Sequence, residues 1–397
     1  MHHRRYSVFP AAAAVVSLAS LAVVPAGGGG PPDFGQPLPR LTAGELSRFQ
    51  AGKTEFEEIE TVADGLGPVF NDASCANCHL SPAVGGGSAR LETRFGTLTP
   101  AGQFDPMTAW GGPLIQSQGI GGPFGSCSYS GEVVPPEATI VAQRRTTPLF
   151  GLGLVDHVPD ATFHWIAKVQ AFDPDQIAGI VSMVIEPTTG RPVVGKFGWK
   201  AQNPSLHVFA GDAYLNEMGI TNPMFPDENC PQGDCASLSC NPMSQLNDDG
   251  SGVQAFTDFM EMLAPPPRGA ISVSAVYGEH LFHQIGCASC HVATLRTGPD
   301  PSAAFDRVTF YPYSDFLLHD MGSLGDGITQ NQATGQLMRT APLWGLRAQT
   351  VLLHDGRAST VEAAIEAHDG QGKKSRDRFH KLSSWQKTQL LAFLHSL

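Results

Sequence analysis

The segment Cys75-Ala76-Asn77-Cys78-His79 recurs in form as Cys287-Ala288-Ser289-Cys290-His291. No other feature constrains the fold as strongly. Two thiols at this spacing sit on one helical turn, and the adjacent imidazole projects from its end. Thioether bonds from such thiols to the vinyl groups of a haem fix the ring against that turn, and the histidine then supplies an axial nitrogen to the iron. A zinc site needs four ligands brought together, and a thioredoxin-like dithiol needs a βαβ context. The two segments lie far apart and neither has that context. The sequence therefore implies two covalently bound c-type haems, one on Cys75, Cys78 and His79, the other on Cys287, Cys290 and His291.

A chain of 397 residues is long enough for two or three domains around such groups. Hydrophobic content of 42% with 16% charged residues is that of a globular protein. The 44 Gly and 31 Pro predict much loop wrapped around short helices. Residues 1–26 read as an export signal, with Arg4 and Arg5 before an apolar run from Ala11 to Val24 and the small-residue close Val24-Pro25-Ala26. The run is short for a membrane span. The expected product is periplasmic or secreted, with no stable membrane insertion after signal cleavage.

The signal holds two Arg and no acid, so the remainder carries 23 basic and 37 acidic residues, net −14. This excludes nucleic acid as a partner class. It suits a basic electron-transfer partner and equally serves solubility. Four cysteines lie outside the haem-type segments: Cys127, Cys230, Cys235 and Cys240. In an oxidising compartment they can form two disulfides, with three pairings open.

The expected fold class is mainly α: two cytochrome c-like haem domains with long loops. The first domain spans 41–264 and the second 268–397, divided at Pro265-Pro266-Pro267, which ends a helix over Asp258 to Leu263. Helices are expected over 160–172 and 174–186, and loops over 80–140 and 222–252. Tyr277, Leu281 and Ile285 give an apolar helical face leading into Cys287. Ser383 and Gln386 form a capping box for a last helix with Leu390, Leu391, Leu394 and Leu397 as its buried stripe. An internal repeat supports two related halves: Arg145-Thr146-Thr147-Pro148-Leu149-Phe150-Gly151-Leu152 after the first haem-type segment, and Arg339-Thr340-Ala341-Pro342-Leu343-Trp344-Gly345-Leu346 after the second.

Further segments carry a family resemblance. Leu317-Leu318-His319-Asp320-Met321-Gly322 precedes the second repeat, and Leu353-His354-Asp355-Gly356-Arg357-Ala358 follows it, with Thr360 and Glu362 beyond. Gly195-Lys196-Phe197-Gly198-Trp199-Lys200-Ala201 and Asn216-Glu217-Met218-Gly219-Ile220-Thr221 lie between the halves. From Leu41 to Leu397 the chain resembles the di-haem oxidoreductase branch of the di-haem cytochrome c peroxidase superfamily. The resemblance implies two haems facing a shared interface, one taking electrons and the other reducing peroxide. It places the second ligand of the C-terminal haem at His368, and an electron relay at Trp199. Arg339 and Arg357 are expected to pair with haem propionates, since guanidinium binds carboxylate bidentately. No His lies between His79 and His157, so the first iron is either open or bound by Met218 or His157. The relatives also hold calcium. The one calcium-like run, Asn247 to Gly252, lacks the later Glu.

Two functions remain open from sequence. One is a peroxidase-like oxidoreductase fed by an electron-donor protein or small redox carrier. The other is a non-catalytic di-haem electron-transfer cytochrome. A third, turnover of thiols, rests on family naming alone.

Overall fold

The computed structural model describes residues 34–243 and 246–397. The export signal expected over 1–26 lies outside them. Two helix crossings of the same design organise the described residues, one beside each Cys-x-x-Cys-His segment. Helix Ala43–Glu57 opens on a capping box in which Thr42 and Glu45 satisfy each other's backbone N–H groups. It crosses helix Ser251–Met262 at Gly52, where a Cβ would lie 2.2 Å from the Ala255 carbonyl oxygen. Phe49 and Phe56 fill the crossing, with ring centroids 5.4 and 4.9 Å from Phe259. Phe56 then stands edge-on to His79 at 5.9 Å. The apolar packing of this pair thus reaches the first imidazole directly.

The second crossing joins Val273–Gln284 to Ser384–Leu394. Gly278 plays the part of Gly52, with a Cβ only 2.0 Å from the Gln389 carbonyl oxygen. Phe282 packs on Phe393 at 5.2 Å and approaches His291 at 6.3 Å. The capping box of Ser383 and Gln386 is present. Only glycine lets backbones approach this closely, which outweighs its cost of about 1 kcal/mol within a helix.

The described residues hold more strand than the expected mainly α fold. Thirteen short strands stand among ten α-helices in the described residues. The largest sheet is antiparallel, with Leu91–Leu98 between Phe104–Asp105 and Ile140–Arg145. It occupies part of the segment expected as loop over 80–140. Its strand-forming residues, such as Thr93, Phe95, Ile140 and Val141, are spaced by charged ones that hid the pattern. The helix expected over 174–186 is also absent. Asp160–Gln170 ends near its expected place, but Met183–Ile185 pairs with Pro192–Val194 as a hairpin. β-branched residues and the turn Pro187-Thr188-Thr189-Gly190 favour that outcome.

The disulfides are Cys127–Cys240 and Cys230–Cys235. The run Asn247 to Gly252 is a helix start. Asp248 accepts from the N–H groups of Gly250 and Gly252, and Asp249 from that of Ser251. The described residues pack as one compact unit. One apolar core is built mainly from residues before 264, with Phe305, Phe310, Phe316 and Trp344 joining it from the later part. A second core is drawn only from Ala275 onward.

A fully buried ion cluster ties early and late segments together. Asp326 accepts from Arg144 Nε at 2.8 Å and from Lys200 Nζ at 2.9 Å. Lys200 also donates to the carbonyls of Thr334 and Leu337 at 3.0 and 2.7 Å. Burial pushes the Asp326 carboxyl up, but the charges of Arg144 and Lys200 outweigh it and hold the group below its usual range. Replacing Asp326 by Ala strands two buried cations, and a loss of about 3–5 kcal/mol is expected. Urea denaturation measures this, and an unchanged midpoint would refute the role given to the cluster.

Candidate functional site

Two cavities lie against the two Cys-x-x-Cys-His segments. The first, of about 380 Å³, is walled by Cys75, Cys78 and His79 on one side and by Glu92, Arg94, Glu217 and Met218 elsewhere. The second, of about 210 Å³, is walled by Cys287, Cys290, His291 and His368.

Three imidazoles share one hydrogen-bonding pattern. Nδ1 of His79 donates to the Gly86 carbonyl at 3.0 Å, that of His291 to Tyr313 at 2.9 Å, and that of His368 to Ala364 at 2.7 Å. A carbonyl can only accept, so Nδ1 carries the proton and Nε2 keeps its lone pair. This is how metal-ligating histidines are oriented. Burial pushes His79 and His291 down to about 4 and also lowers His368, so all three are neutral at pH 7, as ligation requires. Burial pushes the thiols of Cys75 and Cys287 up to about 12 and that of Cys78 to about 11.

His368 and His291 face each other with ring centroids 6.5 Å apart. Two metal–nitrogen bonds of about 2 Å each, plus about 1 Å from each nitrogen to its ring centre, span about that distance. The residues of the second cavity therefore fit a haem held between two imidazoles. In the first cavity, His79 is the one histidine among the described lining residues. Met218, the last residue of helix Leu206–Met218, is buried and lines it. His157 lines neither cavity; it pairs with Asp300 at 2.9 Å and stacks on Phe305 at 4.0 Å.

Trp199 lines both cavities. Its Nε1 donates to the Arg145 carbonyl at 3.0 Å, and its own carbonyl accepts from the Arg339 N–H at 2.9 Å. The two arginines that open the repeated octapeptides thus clasp one tryptophan. Arg339 is buried in the second cavity wall, donating to the Gly198 carbonyl at 2.6 Å. Arg357, expected beside a propionate, is half exposed, pairs with Asp355 and lines neither cavity. Its neighbour Asp355, two residues away, captures the guanidinium. Arg145 is the cation in both cavity walls. The repeat itself carried that signal, because Arg145 is the counterpart of Arg339.

Sequence reasoning also missed a carboxyl pair in the first cavity. Glu92, Arg94 and Arg144 share a face of the sheet, since strand side chains alternate and Glu92 lies opposite Arg144. Arg94 holds Glu92 with two bonds, of 2.7 and 3.3 Å. Glu217, on helix Leu206–Met218, hydrogen-bonds Glu92 and accepts from Asn71 Nδ2 at 2.8 Å. Burial, then the charge of Glu92, raises the Glu217 carboxyl. Burial also raises Glu92, but Arg94 and then Arg144 outweigh it and the net shift is down. Two adjacent carboxyls pushed apart in this way make an acid and its conjugate partner.

This assignment predicts different costs for two similar variants. Glu217→Gln, replacing a protonated group by its isostere, is expected to change stability at pH 7 by less than about 0.5 kcal/mol. Glu92→Gln strips Arg94 of its counter-charge and is expected to cost about 1–3 kcal/mol. Equal costs in urea denaturation would show that the proton sits elsewhere.

Comparison with known proteins follows the same line. A family model described as "Di-haem oxidoreductase, putative peroxidase" matches residues 133–397. No curated protein is matched. Among solved structures, the chain is similar to a MauG-like protein associated with microbial copper homeostasis, at 14% identity, TM-score 0.41, over 91% of this chain and 93% of that one. It is similar to the di-haem peroxidase BthA from Burkholderia thailandensis at 13% identity, TM-score 0.40, over 91% and 86%. It is also similar to Kuenenia stuttgartiensis hydrazine synthase at 14% identity, TM-score 0.38, over the whole of both chains. Similarities of this size carry no argument about activity.

Proposed function

We propose, from the premise that this chain belongs to the di-haem oxidoreductase family, that it is an exported peroxidase with two covalent c-type haems. In this reading the first cavity does chemistry and the second passes electrons. The asymmetry between the cavities carries it: His368 opposes His291 in one, and a carboxyl pair stands in the wall of the other.

Cys75, Cys78 and His79 would hold one haem, and Cys287, Cys290, His291 and His368 the other. The haem supplies the redox-active iron that exchanges electrons with peroxide. The protein's own contribution is to hold and move protons. Asn71 fixes Oε2 of Glu217, so the mobile proton belongs on Oε1, shared with Glu92. From there Glu217 serves as acid and base for the two peroxide oxygens, and Arg94 keeps Glu92 ionised beside it. Trp199, common to both cavity walls, is the electron relay. An electron-donor protein or small redox carrier would reduce the second cavity's haem.

Export is supported by the signal-like residues 1–26, the two disulfides and the family. No helix among the described residues is long and apolar enough to cross a membrane. The non-catalytic electron-transfer reading has one observation in its favour: a Met218 thioether on the first iron would close that cavity.

Three variants test the assignment. Glu217→Gln is expected to lower peroxide turnover by about 10²–10⁴-fold with the haem spectrum intact. His368→Ala is expected to turn the second haem from low to high spin. Replacing Cys75 and Cys78 together by Ser is expected to halve the covalent haem in a pyridine haemochrome assay. Exclusively low-spin resonance signals from the wild type in every redox state would defeat the peroxidase reading in favour of electron transfer.

A further inference from the structure

Tyr214 and Glu60 form a buried pair that the proposed peroxide chemistry does not use. Tyr214 lies on the helix that carries Glu217, and its ring lines the first cavity beside Cys75. Its hydroxyl donates to Glu60 Oε1 at 2.7 Å. Both residues are at least nine-tenths buried, at 5% and 7% exposure. Phe256 meets the Tyr214 ring at 4.9 Å and 90°, and Gly252 leaves it room, since a Cβ there would lie 3.3 Å from Cε1.

The surroundings suit the Glu60 carboxylate to take the phenolic proton once an electron leaves the ring. Burial raises the Glu60 carboxyl, the Tyr214 hydrogen bond lowers it, and the neighbouring charges felt there, Glu55, Asp64 and Glu58, are all negative and raise it further. Burial, then Glu60 and Asp248, also raises the Tyr214 phenol, so its proton leaves only together with an electron. A carboxylate in this setting holds an incoming proton well, and exposed Glu58 lies two residues away as an outlet to solvent. The second half holds a similar pair with the opposite setting. Tyr313 donates to Glu279 at 2.8 Å, but Arg268 faces that carboxylate at 3.9 Å and opposes its protonation.

We propose that Tyr214 and Glu60 are a proton-coupled, one-electron oxidation site beside the first haem-binding segment. The inference rests on the peroxidase reading. Tyr214 gives one electron to the oxidised haem group and its phenolic proton to Glu60 Oε1. The phenolic O–H bond breaks, a carboxylic O–H bond forms, and a neutral phenoxyl radical remains. The oxidant is peroxide, which takes up two electrons, and two protons from solvent, to become two waters. Tyr214 supplies one of those electrons, and the haem group or its donor supplies the other. The pair thus moves an oxidising equivalent off the haem group and into the protein.

The test is to mix the holoprotein with stoichiometric hydrogen peroxide, freeze within milliseconds, and record electron paramagnetic resonance and optical spectra. An organic radical is expected whose signal narrows when the protein carries ring-deuterated tyrosine. The signal should be lost in Tyr214→Phe and reduced in Glu60→Gln, which keeps the shape but cannot accept the proton. If the haem spectrum responds to peroxide but no tyrosine-derived radical forms, or if Tyr214→Phe keeps it, this proposal fails and the peroxidase reading stands. If the haem spectrum does not respond at all, both fail. Circular dichroism and the haem spectrum of each variant separate loss of the radical from loss of the fold.

Discussion

The buried carboxylate of Asp326 holds the parts of this protein in register. Its partners are Arg144 and Lys200, and each is the chain neighbour of a residue in both cavity walls: Arg145 in one case, Trp199 in the other. A cluster with no access to water fixes charges in place because any displacement exposes them to an uncompensated low dielectric. Fixing Arg144 fixes the end of its strand, and with it the Arg145 carbonyl that receives the indole N–H. Fixing Lys200 fixes the indole from the other side. The placing of the two cavity walls about Trp199 is thereby set by an ion cluster whose Asp326 and Lys200 line neither cavity.

Around that join, the two halves use one helix-crossing design for different ends. Gly52 and Gly278 each let a helix approach its partner closely and aim an aromatic side chain at the following histidine. The difference arises farther along the chain. In the second half a short helix, Val361–Glu366, capped by Thr360, delivers His368 opposite His291. In the first half that space is walled by a sheet and by helix Leu206–Met218, which bring charged and hydroxyl groups instead. A closed coordination shell suits fast electron exchange, whereas acid–base groups are needed only where bonds to oxygen break.

The features legible in the sequence were those with fixed local spacing. The haem-type segments, the repeat and the capping box at Ser383 depend on neighbours within a few residues or on repetition. His368 and Trp199 were singled out only through family resemblance. The sheet was hidden because Glu92, Arg94 and Arg144 occupy strand positions on one face that in an ordinary sheet would be apolar; they are charged because they face a cavity and one another. Arg357 was expected beside a propionate because guanidinium binds carboxylate bidentately; Asp355, two residues away, is the carboxylate it meets here.

The carboxyl pair shows why such a site escapes single-sequence reading. Glu92 and Glu217 are far apart in the chain, and although Glu217 lies in the Asn216 to Thr221 segment of the family resemblance, nothing there marks its carboxyl as one of a pair. Their meeting requires the strand register that sets Glu92 opposite Arg144, and the helix phase that turns Glu217 inward one position before Met218. A one-residue slip of the strand would send Glu92 to the other face and leave Glu217 with no partner to share its proton. The chemistry of the first cavity is therefore encoded less in the identity of its acids than in the sheet register that makes them neighbours. Asp326 holds that register, through Arg144, from outside the cavity.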